Sequence, residues 1–522
     1  MPLLVRLALA GTAGVAVAVS FEPFALVWLL PLGVAGLSLL LRGATPRDGA
    51  VAGAVFGSAF MLVLLPWLQV IGVDAWIALS LLEGVFYALL GVGAVLVQRF
   101  AWWPLWTAML WVAVEALRSS FPFGGFPWGR LSFATVDTPA AGLFAYVGAP
   151  GTTFVVALLG TTLAWAVLEA RRTPVRGIAA VAVPVLLASS GTAFAPWEPA
   201  ADQEPTDVVS VAAVQGNVPG EGMDAFAERR VVLENHVQAT HDLAARIEAG
   251  EVARPDLVVW PENSTDIDPF ADPTVHADIQ GAVDAVGVPV LVGAMVSGEE
   301  PGDVLNQGIV WTPGGGPQQS YSKTHPVPFG EYIPFRDLLA PMIKRLDQIP
   351  RDMVPGTEPG LLTMGDTTVG DVICFEVAYD ELLHDVVDGG AELVVVQTNN
   401  ATYMGTGQIE QQFAISRLRA IETNRYVVVA ATNGVSGVIG PDGQVVERAP
   451  VREQSVLMRS LPIYGGQTPA VRWAPVVELL FTLGAVVSVL VALAVNYRLR
   501  RAARDTDATR SPDTVTAGAG EA

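Results

Sequence analysis

Long apolar runs occupy both ends of the chain, whereas the middle alternates short apolar runs with polar, periodic segments. Runs of roughly the length that crosses a bilayer, about 20 residues, lie at about 4–20, 24–41, 50–72, 76–98, 103–117, 141–168, 177–195 and 474–497. This pattern predicts eight transmembrane helices, seven before the central region and one after it. The first run follows Arg6 and resembles a signal peptide, but six more spans follow it at once, which favours an uncleaved helix.

Basic residues at the ends of these runs predict the orientation of the helices. The arginines fall at alternate ends of the spans, namely Arg6, Arg42, Arg47, Arg99, Arg171, Arg172, Arg176, Arg498, Arg500, Arg501 and Arg504. Because cytoplasmic loops carry an excess of Lys and Arg, we expect both termini in the cytoplasm and residues 201–470 outside. The expected location is therefore the cytoplasmic (inner) cell membrane, which the chain crosses several times.

The central region is predicted to fold as an α/β domain. Strand-like runs lie at Val208–Gln215, Leu257–Trp260, Val288–Gly293, Gly308–Thr312, Val369–Phe375, Leu393–Thr398 and Tyr426–Thr432, followed by a hairpin around Pro441-Asp442-Gly443. Helical periodicity marks Met223–Ala249, Thr274–Val286, Ala378–Val387 and Gln408–Thr423. The expected organisation is a seven-helix membrane domain (1–200), an external α/β domain (201–470), an eighth transmembrane helix (471–500) and a disordered cytoplasmic tail (501–522).

Composition and charge narrow the class of protein. Of the 522 residues, 52% are hydrophobic and only 16% are charged, whereas soluble domains average about 25% charged residues, so an ordinary cytosolic enzyme is excluded. The chain has 30 basic and 51 acidic residues, which gives a formal net charge of -21. Since nucleic-acid binding needs clustered Lys and Arg, nucleic acid is not an expected partner. The single cysteine excludes an internal disulfide and a thiolate zinc cage, and neither a metal nor a cofactor is expected.

Three segments place reactive residues at the ends of predicted strands. The run 257–263 ends in the carboxylate of Glu262, the loop 321–331 carries Lys323 and Glu331, and the run 370–376 contains Cys374 just before a helix. Strand ends are where open α/β sheets place their ligands. A following helix start also offers backbone N–H groups that can hold an anion.

Each of these residues also has an ordinary structural explanation. A lone cysteine is often a small buried hydrophobe, a lone lysine is usually a solvated charge, and Glu262 is compatible with a helix N-cap or a surface carboxylate. Their combination is more informative, because a reactive thiol needs both a base and a positive neighbour. Glu262 and Lys323 supply the two.

With these residues in place, the sequence resembles the nitrilase (carbon-nitrogen hydrolase) superfamily, whose Glu-Lys-Cys triad corresponds to Glu262, Lys323 and Cys374 over about 207–460. The membrane spans on either side, together with the segments 125–128, 215–219 and 326–334, resemble one branch of it, the apolipoprotein N-acyltransferases. The resemblance implies an αββα sandwich attached to eight transmembrane helices.

The resemblance also implies an activity and a set of site residues. The expected reaction transfers the sn-1 acyl chain of a phospholipid, through a thioester on Cys374, to the N-terminal diacylglyceryl-cysteine of an apolipoprotein, so the partners are a phospholipid, the acceptor and the bilayer. Glu262 is expected as general base and Lys323, with the Phe375 N–H, as oxyanion donor, while Glu331 and Glu376 orient the lysine and the base. Candidate lipid contacts are Trp128, Phe126 and Tyr332, with Ile333–Ile343 as groove or lid. An interfacial anchor is an equally weighted interpretation of Trp128.

Two other functions remain open at this point. A membrane-anchored amidase or nitrilase that uses water as acceptor shares the triad, but seven spans exceed what anchoring requires. A transporter or sensor with a ligand-binding external domain is the second alternative. Transport pathways usually carry ionisable residues within the membrane, and here the spans hold few apart from Glu83 and Glu115.

Overall fold

The computed structural model describes residues 2–170, 205–219, 229–300 and 302–509, with seven separate residues between 175 and 189. The amino-terminal part is helical, with α1 at Leu3–Ala18, α2 at Leu29–Leu40, α3 at Pro46–Leu64, α4 at Val73–Val97, α5 at Trp103–Ser120 and α6 at Phe144–Glu169. Within the described part of the chain, four segments are long and apolar enough to cross a membrane by length and composition, namely Pro46–Leu64, Val73–Val97, Pro139–Glu169 and Pro469–Arg504. The predicted span at 177–195 falls mostly on residues outside the described part.

Within the described residues, the predicted apolar runs coincide with helices, and their boundaries differ at several places, among them the start of α2 and the end of the closing helix. Helix α2 begins at Leu29 rather than near residue 24, because residues 19–28 form turns in which Ala25 adopts a positive φ of 51°. The closing helix spans Pro469–Thr509 and so continues through residues 501–509, which the sequence analysis assigned to a disordered tail. We call residues 2–170 and this closing helix the helical region.

Glycines bring α3 and α4 into backbone contact. A Cβ atom added to Gly53 would lie 2.1 Å from the carbonyl oxygen of Tyr87, and one added to Gly91 would lie 2.0 Å from that of Gly49. Small residues spaced four apart allow this close approach, which is how apolar helices associate where no water drives them together. A side chain at these positions would therefore force α3 and α4 apart.

The α/β domain contains two sheets. The strands of the first sheet are β1 Asp207–Gln215, β2 Leu257–Val259, β3 Val290–Ser297, β4 Asp303–Thr312, β5 Gly316–Ser322, β6 Asp352–Met353 and β13 Ser455–Ile463. Those of the second are β7 Leu361–Met364, β8 Thr367–Ile373, β9 Leu393–Thr398, β10 Val427–Ala431, β11 Gly437–Ile439 and β12 Val445–Arg448. The first sheet has the order β13-β1-β2-β3-β4-β5, and β6 also pairs with β4; the second has the order β12-β11-β10-β9-β8-β7. The domain's helices are α7 Arg229–Glu248, α8 Pro273–Val286, α9 Arg336–Leu339, α10 Asp380–Asp388 and α11 Gln408–Thr423, and the closing helix of the helical region is α12.

Three apolar cores order these elements into layers. One core lies between the sheets and includes Val211, Leu291 and Val395. A second joins the first sheet to α7 and α8. The third runs without interruption from α10 and α11 into the helical region, and joins Leu383 and Leu418 to Phe60. The order is therefore helix layer, sheet, sheet, helix layer, with α10 and α11 packed directly on the helical region.

Each predicted strand overlaps an observed one, while β5, β6, β7 and β13 were not predicted. Strand β5 contains Gly316-Pro-Gln-Gln-Ser and is largely exposed at the edge of its sheet. Strand β13 exposes Arg459 and Ser460 and pairs antiparallel with β1. A strand that has few apolar residues and one face in contact with water shows only a weak alternation of apolar and polar positions. Such a strand is therefore hard to recognise from the sequence.

Candidate active site

Cys374 lies at the sharp turn between β8 and a short 3₁₀ helix, Cys374–Ala378. Its backbone adopts a left-handed φ of 56°, a conformation that costs energy in a residue with a Cβ atom and is concentrated at functional sites. The thiol is partly buried, and the Thr398 hydroxyl at the end of the neighbouring strand β9 lies 3.4 Å from its sulfur. The turn therefore presents the only thiol of the chain at the strand end.

Glu262 and Lys323 meet beside this turn. Lys323 Nζ donates to Glu262 Oε1 at 3.1 Å, and both side chains are buried. The same carboxylate accepts hydrogen bonds from Asn306 Nδ2 and from the backbone N–H of Asn399, each at 2.8 Å. Three donors from three strands or strand ends therefore hold Glu262 in one orientation.

Glu331 supplies a second carboxylate to Lys323. Lys323 Nζ donates to Glu331 Oε1 at 2.7 Å, and the other oxygen of Glu331 accepts the Val327 N–H at 2.7 Å. Glu331 therefore holds the Lys323 ammonium against the 323–331 loop. Its negative charge also offsets the free-energy cost of burying the ammonium.

The charges around the site shift two pKa values that matter for chemistry. Burial opposes the charged form of Lys323, but the carboxylates of Glu262 and Glu331 outweigh it and raise its pKa well above the usual range. Burial, and then the negative charge of Glu262, raises the pKa of the Cys374 thiol to about 12. The resting site thus combines a permanent ammonium with a protonated thiol, so attack by sulfur requires a base to remove its proton.

Glu376 occupies a different position from the one expected. Its carboxylate accepts the Thr324 and His325 N–H groups and the Tyr321 hydroxyl, at 2.7 to 3.0 Å. It also accepts the N–H of Ile373 at 2.8 Å. Glu376 therefore joins the backbone of the lysine loop to that of the cysteine turn, rather than contacting the lysine ammonium or the base.

Two of the three candidate lipid-contact residues lie against Phe375. This ring stacks on Phe126, with centroids 5.5 Å apart, and on Trp128, at 5.7 Å. Trp128 is only 2% exposed, so it forms an inner wall of the site and is not an exposed interfacial anchor. Tyr332 is partly buried, and its carbonyl accepts the N–H of Phe329 on the adjacent loop.

Several residues of this arrangement were not predicted. Asn306 and Thr398 lie within strands, and each contacts one member of the triad through a hydrogen bond. Asn306 is one of several polar residues in β4, beside Gln307 and after Asp303, so the local sequence did not mark it. No three His, Cys, Asp or Glu side chains converge as a metal site would require, within the part of the chain that is described.

The sequence is similar to characterised proteins along most of its length. The chain is 38% identical to an apolipoprotein N-acyltransferase from Mycolicibacterium smegmatis, over 93% of this chain and 84% of the relative. This chain belongs to the apolipoprotein N-acyltransferase family. An apolipoprotein N-acyltransferase from Methylococcus capsulatus is 29% identical over 89% of this chain and 92% of the relative.

Domain-level similarity divides this N-acyltransferase in the same way as the structure does. The amino-terminal domain of apolipoprotein N-acyltransferases matches residues 13–162, and the carbon-nitrogen hydrolase family matches residues 210–467. Among solved structures, an amidase from Nesterenkonia sp. is 17% identical, with a TM-score of 0.34, over 51% of this chain and 92% of that chain.

These relationships confirm the family and the enzyme class. The protein is an acyltransferase of the carbon-nitrogen hydrolase superfamily with apolar membrane helices, and the amidase alternative is not favoured. A lipoprotein substrate and a lipid donor follow from the family name.

Proposed function

We propose that this protein moves the sn-1 acyl chain of a phospholipid to the α-amine of a diacylglyceryl-cysteine at the N-terminus of an apolipoprotein. The observation that carries the proposal is the shared wall of the site: Phe126 and Trp128 of the helical region stack on Phe375, next to the nucleophile. A site walled by the helical region suits a substrate that stays in the bilayer. A soluble amide would need no such wall.

In the first half-reaction, the sulfur of Cys374 attacks the ester carbonyl while Glu262 accepts the thiol proton. The carbonyl oxygen becomes an oxyanion, which the Lys323 ammonium and the backbone N–H of Phe375 stabilise. The C–O bond to the glycerol then breaks, and Glu262 returns the proton to the leaving oxygen. A lysophospholipid departs and the acyl chain remains as a thioester.

In the second half-reaction, the neutral α-amine of the acceptor attacks the thioester. Glu262 accepts a proton from the attacking nitrogen, and the same two donors stabilise the second oxyanion. The C–S bond breaks, the sulfur recovers the proton, and the acceptor leaves with an amide. Both steps use the same three side chains, and two of them, Lys323 and Glu262, are in direct contact.

The position of the site at the membrane face follows from the cost of moving lipids. An acyl chain of about 16 carbons, at about 0.8 kcal/mol per buried CH₂, does not leave the bilayer for a distant soluble site. The loop after Glu331 exposes apolar side chains, among them Phe335, Leu338 and Met342. We assign this loop, with Tyr332, Phe126 and Trp128, to the groove that holds the chain.

We further propose that both termini are cytoplasmic and that the α/β domain lies on the external face of the inner membrane, because arginines cluster at alternate helix ends. Reporter fusions after Arg47, Gln98 and Arg176 are expected to report a cytoplasmic location. Fusions after Asp74 or within 201–470 are expected to report an external one. An external signal at Arg176 would reverse the proposed orientation.

The proposed reaction predicts a stall when the acceptor is missing. With phospholipid alone, purified protein is expected to release nearly one lysophospholipid per enzyme and then stop, because an apolar site shields the thioester from water. Mass spectrometry of the intact protein should then show an acyl adduct on Cys374. A diacylated lipopeptide with a free N-terminal amine is expected to restart turnover.

The matched control is the same lipopeptide with an acetylated N-terminus, which lacks the nucleophile and should leave the enzyme stalled. Continuous release of free fatty acid without any amine would contradict the proposal. That outcome would show that water resolves the thioester and would identify a membrane hydrolase.

A further inference from the structure

One glutamine of the α/β domain contacts three separate segments of the helical region. Gln411 lies on α11, and its buried Oε1 accepts the indole N–H groups of Trp67 at 3.1 Å and Trp128 at 2.8 Å. Its Nε2 donates to the carbonyls of Glu22 at 2.9 Å and Leu64 at 3.1 Å. Both lone pairs and both hydrogens of this amide are therefore used.

The contacts of Gln411 continue toward the nucleophile. Trp128, held by Gln411, stacks nearly parallel on Phe375, with centroids 5.7 Å and planes 13° apart. Phe375 is the residue after Cys374, whose backbone is in the left-handed conformation. Trp67 meets both Trp128 and Tyr403 edge to face, at 5.9 and 5.3 Å. A displacement of Trp128 would therefore remove one of the two rings that stack on Phe375.

A fully satisfied buried amide specifies one arrangement of its partners. Any shift of one partner leaves a buried donor or acceptor unpaired, which costs more than the hydrogen bond itself contributes. Gln411 thus fixes the segments after α1, after α3 and after α5 relative to one another and to α11.

We propose that Gln411 is a positioning residue for the acylation of Cys374, acting through the indole of Trp128 on Phe375. This inference rests on the proposed function, because the step that Gln411 controls is the first half-reaction, the acylation of Cys374. Its effect on the thiol itself does not depend on the identity of the substrate.

Other contacts hold the two regions together independently of Gln411. Arg130 of the helical region pairs with Asp380 of α10 at 2.5 Å. Arg417 of α11 pairs with Asp137 at 2.7 Å. Variants of Gln411 are therefore expected to remain folded and docked, so that their effect falls on the geometry of the turn.

The test is a double-mutant cycle between Gln411→Leu and Trp128→Phe. Each single variant is expected to slow acylation of Cys374 by phospholipid about 10- to 100-fold at saturating lipid, with a smaller change in KM, because small misplacements of reacting groups cost this much. The double variant is expected to lose no more than the more severe single variant, because both changes break the same contact. Glu410→Gln is the matched control, since Glu410 neighbours Gln411 on α11 but pairs with Arg448 at the surface.

A second measurement separates this inference from the proposed function. Iodoacetamide alkylates the single cysteine without any lipid substrate, and both single variants are expected to change its rate and pH profile together, while Glu410→Gln does not. Wild-type alkylation in Gln411→Leu, or additive losses in the double variant, would overturn the positioning role. Altered alkylation in a protein that forms no acyl adduct would retain the positioning role and reject the lipid substrate. If Gln411→Leu does not fold, Trp128→Phe and Trp67→Phe apply the same test.

Discussion

Replacing Cys374 with serine is expected to abolish acyl transfer while leaving the fold intact. The hydroxyl occupies nearly the same volume at the turn after β8, so packing around Phe375 should survive. A hydroxyl ionises far less readily than a thiol and is a poor nucleophile with a carboxylate as its base. Loss of a nucleophile in comparable sites costs up to about 10⁶ in rate, and we expect at least about 10³ here.

The measurement compares lysophospholipid release and the intact mass of the protein after incubation with phospholipid. The wild type should gain one acyl chain, and Cys374→Ser should gain none. Because Cys374 is the only cysteine in the chain, alkylation by iodoacetamide should label the wild type once and this variant not at all. A fully active serine variant would reject the thioester mechanism.

Lys323→Arg is expected to reduce the first half-reaction about 10²- to 10³-fold, the loss that follows removal of one oxyanion donor elsewhere. The ammonium is 1% exposed and held by two carboxylates at 2.7 and 3.1 Å. A planar guanidinium keeps the charge but not the compact shape, so it cannot occupy the same point between Glu262 and Glu331. Glu262→Gln should have an effect at least as large, because it removes the base that the high pKa of the thiol makes necessary.

The chain offers a matched control for this experiment. Lys344 is the only other lysine and lies exposed on the loop after α9, so Lys344→Arg should leave the initial release of lysophospholipid unchanged. Initial rates with phospholipid, measured before any acceptor is added, isolate the step in question. Wild-type rates for Lys323→Arg would show that charge alone suffices and would remove Lys323 from the oxyanion role.

The local pattern of apolar residues was enough to predict the transmembrane helices and the fully buried strands. The membrane helices follow from unbroken apolar runs, because a lipid-facing helix is apolar all round. The buried strands β1, β9 and β10 follow from runs such as Leu393–Thr398, which is buried along its entire length. The edge strands β5 and β13 escaped prediction, because one face meets water and polar residues are tolerated there.

The sequence by itself also singled out Glu262, Lys323 and Cys374 as candidates, because a reactive thiol requires a base and a positive neighbour. Their meeting depends on how the two sheets pack, since Glu262 and Lys323 follow strands of the first sheet and Cys374 follows a strand of the second. Only the tertiary structure decided what surrounds them. Gln411 contacts Trp128 across 283 positions of sequence and Trp67 across 344, and Glu376 joins two loops rather than orienting the lysine. Such contacts leave no local periodicity, because hydrogen-bond partners are selected by distance in the folded chain and not by spacing along it.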